Sequence, residues 1–141
     1  TLAAGLTFCA YCWNASADNQ YLRRIGRAWD IADEVDAFTS SAEWVDLYRV
    51  WETNFITGGA SGLKVIAPIV GFAWEVDDPG GGESMVMYDR AMDIGADAAA
   101  ARAWLLLYNQ GDVRATRAVR AWMDTVGARA PSIASVLPRP S

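Results

Sequence analysis

Only two stretches of this 141-residue chain read as β-strand, and every other periodic stretch reads as helix. Leu6 to Trp13 is short, aromatic and partly β-branched, and it ends at polar Asn14, which predicts a buried strand. Glu43 to Val50 alternates imperfectly and reads as a strand running into a helix. Two strands alone make a poor sheet, because the backbone groups on both outer edges need partners. The pattern therefore predicts a largely helical α/β domain with one or two strands, and an N-terminal part upstream of Thr1 that would supply the others.

The helical stretches follow from periodicity and punctuation. Ser16 is placed to N-cap a helix whose apolar face is Tyr21, Leu22, Ile25 and Trp29. Asp30 to Phe38 gives an acidic second helix, and the glycines from Gly58 to Gly62 break the chain. Leu63 to Val70 follows as a helix that Pro68 restricts to about two turns, with Gly71 as its C-cap. Residues 77–82 are turn chemistry throughout, and Glu83 to Ile94 is a helix ended by Gly95. Asp97 then caps the longest helix, which runs towards Thr125 on a stripe of Trp104, Leu105, Tyr108, Val113, Val119 and Trp122. Gly111 weakens that helix by roughly 1 kcal/mol relative to Ala. Most tryptophans are spaced like core residues.

Charge and cysteine usage narrow the class. A net charge of −5 gives no global basic field to capture nucleic acid, although bound cations would reverse the sign locally. No run approaches the ~20 apolar residues of a membrane span, and no basic start precedes an apolar leader. The chain reads as a piece of a longer cytoplasmic protein. Cys9 and Cys12 fall inside the apolar run, where strand alternation sets i and i+3 on opposite faces, so two buried free thiols are expected. Asn14-Ala15-Ser16 matches a glycosylation sequon by chance.

Two acids close short polar signatures, Asn14-Ala15-Ser16-Ala17-Asp18 and Tyr108-Asn109-Gln110-Gly111-Asp112. Metal-dependent phosphodiester hydrolysis gathers acids from distant segments, because an isolated carboxylate holds Mg²⁺ weakly. On a helix, Tyr108 and Asp112 share a face, so the phenol could position a water while the acid holds a cation. The plain alternative is a core tyrosine with a solvated aspartate one turn on. Gly58 to Lys64 is not a Walker loop, since Leu63 intervenes before Lys64. Lys64 could still touch a substrate phosphate, and Arg114, Arg117 and Arg120 could follow a nucleic-acid backbone, but solvated helical positions explain both.

The stretch from Leu105 to Thr116 resembles the third motif of the DEDD-type exonucleases of the ribonuclease-H-like superfamily, which carry Tyr-x-x-x-Asp on their last helix. Trp13 to Asp18 looks like their second motif, where a strand ends in Asn and an acid follows on the next helix. Closer still is the predicted RecB-type nuclease group, which ends in a YprB-like ribonuclease-H-like domain. Val45-Asp46-Leu47-Tyr48, Gly62 to Pro68, Gly71-Phe72-Ala73-Trp74, Ser84 to Tyr88 and Leu107 to Asp112 resemble it in order and approximate spacing. The resemblance covers about Phe8 to Met123.

It implies that residues 1–128 are the helical C-terminal portion of a ribonuclease-H-like fold with one or two parallel strands, followed by a Pro-rich flexible tail, 129–141. It also implies a Mg²⁺- or Mn²⁺-dependent nuclease in the parent protein, a 3′→5′ exonuclease on DNA or RNA. Asp18 and Asp112 would serve at the metal pair, Tyr108 would orient the water, and Asn14 would hold substrate or the Asp18 loop.

Three departures weigh against this. Ala17 replaces the usual aromatic and Gly111 the usual acid, and no Asp-x-Glu first motif is present. That motif would have to lie before Thr1, so this stretch alone should bind catalytic metals poorly. The competing expectation is a non-catalytic helical interaction module on the same scaffold. An exposed edge of the 6–13 strand could also pair two copies into a homodimer.

Overall fold

A computed structural model describes residues 8–76, 82–132 and 135. The elements run β1 (Ala10–Cys12), α1 (Ala15–Ala28), α2 (Ala32–Thr39), β2 (Trp44–Asp46), α3 (Leu47–Asn54), α4 (Leu63–Ile69), α5 (Gly82–Ala91) and α6 (Ala96–Thr125). A single 3₁₀ turn, Gly127–Arg129, follows α6. By its internal contacts the chain divides into two compact units, Thr1–Val65 and Ile66–Ser141.

The first unit is built on a parallel pair, β1 against β2, with Ala10 opposite Trp44, Tyr11 opposite Val45 and Cys12 opposite Asp46. Parallel strands cannot be joined by a hairpin. Here α1 and α2 supply the crossover and pack on each other, Gly26 allowing the approach: a Cβ there would lie 3.0 Å from Val35 Cγ2. Aromatic rings fill the spaces around the strands. Phe38 meets Phe8 and Trp44, while Trp51 meets Trp13 and Phe55, and Trp51 is only 2% exposed. Truncating such a buried tryptophan to Ala typically costs about 3–5 kcal/mol.

In the second unit α5 packs along α6, whose buried positions are Ala98, Ala101, Gly111, Ala115 and Val119. Their spacing of three to four residues, or multiples of it, makes one stripe, and their small size permits close approach. Residues 72–75 lie across α6, tied by Trp74 to Asp112 and by Glu75 to Arg114.

The largely helical α/β architecture with two parallel strands matches the sequence expectation. So does the strand that runs straight into a helix at 44–54. At α4, Phe72 N–H bonds Ala67 C=O and Gly71 N–H bonds Pro68 C=O, with Gly71 at φ +89°. This is the paired closure of a Schellman C-cap, as Gly71 implied.

Several local expectations are corrected. The N-cap of α1 is Asn14, not Ser16, and Gly95, not Asp97, precedes α6. α5 ends at Ala91, before Ile94. Cys9 is half-buried, although Cys12 is buried and both thiols are free. The face of α1 read as apolar core is largely exposed: Tyr21 at 58%, Ile25 at 49% and Trp29 at 76%. Periodicity shows that a helix has an apolar face, not that something covers it. Val113, placed on the α6 stripe, is also exposed. The turn expected at 77–82 and the tail from 133 lie outside the described residues, apart from Gly82 and Ser135. No helix among the described residues is long and apolar enough to cross a membrane.

Candidate functional site

In the first unit the candidate residues gather where β1 gives way to α1. Asn14 turns the chain there in a left-handed conformation (φ 64°, ψ 81°), which Asn tolerates better than most residues. Helix starts leave backbone N–H groups without intrahelical partners. At α1 they are met by Asp46 at the end of β2: Asn14 N–H donates to its Oδ1 at 3.0 Å and Ala15 N–H to its Oδ2 at 3.1 Å. Tyr48 N–H donates to the same Oδ1 at 3.1 Å, so Asp46 also caps α3. One carboxylate, its side chain 14% exposed, thus holds two helix starts, where a negative charge suits the helix dipoles. Asn14 Oδ1 in turn accepts a bond from the Ser16 hydroxyl at 2.9 Å, and Asn19 Oδ1 accepts one from the Trp44 indole at 2.9 Å.

Asp18 lies in the first turn of α1. Partial desolvation pushes its carboxyl above the ordinary aspartate range; its own backbone N–H pulls it part of the way back, and the charge of Asp46 raises it further. The residue as a whole is exposed, so the desolvation is only partial. Cys12 is pushed up to about 12, by burial first, then by Asp46 and Asp18. Its Sγ lies 3.7 Å from Val45 C=O. At that value the thiol stays protonated at neutral pH and is no nucleophile. Cys12, Asp18 and Asp46 therefore share one electronegative neighbourhood.

In the second unit Tyr108 and Asp112 stand one turn apart on α6, both half-buried. Each is held by a tryptophan. The Tyr108 ring stacks on Trp104, with centroids 5.4 Å apart and planes at 15°. Asp112 Oδ1 accepts the Trp74 indole N–H at 2.9 Å, and Trp74 meets Phe72 edge-on at 5.0 Å. Glu75 pairs with Arg114 at 2.8 Å, and Arg120 lies 3.8 Å from Asp124, so the row of arginines on α6 is partly neutralised from within. Lys64 stands half-buried in the first turn of α4.

Tyr108 and Asp112 are therefore brought together on one helix face, and Asn14 and Asp18 at one helix start. Among the described residues, no three acids or thiols gather as a group fit to hold a metal ion. Sequence reasoning gave no role to Asp46 and placed Trp74 in the core. An acid at a strand-to-helix junction is a capping signal, and it could have revealed the bond to Tyr48. Nothing local announces the bonds to Asn14 and Ala15, 32 and 31 positions away.

A family model described as the RNase H superfamily matches residues 8–124. No curated protein and no solved structure matches the chain.

Proposed function

The chain belongs to the RNase H superfamily, and from that membership we propose that it is the metal-dependent nuclease domain of a cytoplasmic protein that degrades DNA or RNA from the 3′ end. The observation that carries this reading is the pair on α6, where a phenol and a carboxylate one turn apart are each buttressed by a tryptophan. A tyrosine placed only to fill a core needs no acid beside it, and a solvated acid needs no indole donor.

The donor chemistry fits a hard divalent cation, since Asp18 and Asp112 offer carboxylate oxygens, the ligands Mg²⁺ and Mn²⁺ prefer. Asp18 is also held where its charge is disfavoured, a situation a cation relieves. In this reading Asp18 and Asp112 are metal ligands, completed by acids of an Asp-x-Glu motif that the sequence does not contain. Bound there, Mg²⁺ or Mn²⁺ would supply Lewis-acid activation of the attacking water and the leaving oxygen in a two-metal mechanism. The protein's own part is orientation. Tyr108, its ring fixed by Trp104, aims the water at the phosphorus opposite the departing 3′-oxygen. Asn14 fixes the turn that sets Asp18 and presents its side chain to substrate, and Lys64 meets a phosphate.

The runner-up, a non-catalytic interaction module on the same scaffold, draws on Ala17, Gly111 and the lack of an Asp-x-Glu motif in the sequence. The test separates them. The protein at its natural full length is incubated with single-stranded DNA or RNA labelled at its 5′ end, with Mn²⁺, Mg²⁺ or EDTA. The proposal predicts a metal-dependent ladder shortening one nucleotide at a time, with Tyr108→Phe about 10²-fold slower. No hydrolysis with either metal would favour the interaction module.

A further inference from the structure

Gly111 sits in the middle of a 30-residue helix rich in alanine, where glycine is disfavoured by about 1 kcal/mol relative to Ala. The structure gives a reason for it. A Cβ at position 111 would lie 2.5 Å from Cδ1 and 3.2 Å from Nε1 of Trp74, so the indole rests on the bare backbone of α6. The first distance is well inside van der Waals contact, so the ring or the helix would have to move. The ring is not the loose end of a flexible chain. Phe72 meets it edge-on at 5.0 Å, its Nε1 donates to Asp112 Oδ1 at 2.9 Å, and the next residue, Glu75, is held by Arg114 at 2.8 Å.

We propose that Trp74 is the positioning residue for Asp112, and that glycine at 111 is required to seat it. The inference rests on the reading of Asp112 as a metal-binding acid. An aspartate on a helix face chooses among several rotamers, and a ligand to a catalytic cation needs one. The indole N–H is a donor only, so it holds a carboxylate oxygen without bringing a competing acceptor or charge. This is the arrangement by which groups behind a metal ligand fix its orientation. Gly111 is then not a lost acid but the floor on which the positioning ring lies, which removes one argument for a degenerate site.

The experiment compares Trp74→Phe, Gly111→Ala and the double variant in the full-length protein. Trp74→Phe keeps an aromatic ring and removes the N–H; Gly111→Ala keeps the N–H and displaces the ring. Each is expected to lower kcat, and the apparent affinity for Mn²⁺, by roughly 10–100-fold. KM for a labelled oligonucleotide should stay nearly constant, and raising Mn²⁺ should restore part of the lost rate, a rescue that general loss of structure does not produce. The double variant should be no slower than the slower single one, because both changes break the same contact. The indole ¹H–¹⁵N resonance of Trp74, assigned by its loss in Trp74→Phe, should move in Gly111→Ala and in Asp112→Asn.

Should Asp112→Asn abolish hydrolysis while Trp74→Phe turns over at the wild-type rate, the positioning role is wrong and the nuclease reading stands. An indole resonance that ignores Asp112→Asn would overturn the contact itself, whatever the activity. Full activity in Asp112→Asn would overturn both the nuclease reading and the catalytic purpose assigned to Trp74.

Discussion

Asp18 carries its negative charge at a disadvantage, because its carboxyl is partly desolvated and Asp46 adds a second negative charge nearby. A carboxyl whose folded-state pKa lies above its unfolded value binds its proton more tightly in the native protein. Below the ordinary aspartate range both states are protonated and the effect vanishes. As pH rises through the window between the two values, the unfolded chain loses its proton first, and native stability falls. Asp18→Asn removes this burden, so the variant should unfold at a higher temperature than wild type at pH 7, with the two converging near pH 3. A wild type more stable than Asp18→Asn at pH 7 would contradict it. A group kept at some expense to stability is what a binding site requires, and the same substitution should remove activity. Little of this was legible in the sequence. The four-residue spacing from Asn14 to Asp18 was visible, but the neighbour that perturbs Asp18 comes from β2.

Among the elements, the informative joint is Asp46, which ties the start of α1 to the start of α3. Replacing it with Ala strips the caps from two helices and leaves three N–H groups to find other partners. The expected loss is about 2–4 kcal/mol of stability, measured by urea denaturation, with Asp46→Asn intermediate because it keeps one acceptor oxygen. A loss of Asp46→Ala within experimental error would mean that water replaces those bonds. The elements themselves were largely readable. The strand running into a helix at 44–54 was readable although its alternation is imperfect, and Gly71 announced the end of α4. What misled was the apolar face of α1, whose period was correct although Tyr21, Ile25 and Trp29 are exposed. Gly111 misled in the opposite direction. Alone it is a weak point in a helix, and only Trp74, brought across α6 by the fold, turns it into a seat.

For the molecule as a whole, the family match over residues 8–124 agrees with the parallel strand pair and six α-helices found among the described residues. The sequence carried the class because its second and third acidic signatures sit on local frames, a strand-to-helix turn and one helix face. It could not carry the supports, since Asp46 and Trp74 act across tens of residues. The central claim is that Asp18 and Asp112 are each required for metal-dependent hydrolysis. It is tested most directly by Mn²⁺-dependent turnover of a 5′-labelled oligonucleotide by the full-length protein and by Asp18→Asn and Asp112→Asn. Losing either acid should remove several kcal/mol of transition-state stabilisation, so each variant should be slower by roughly 10²-fold or more. Turnover within a factor of a few of wild type in both variants would contradict the assignment.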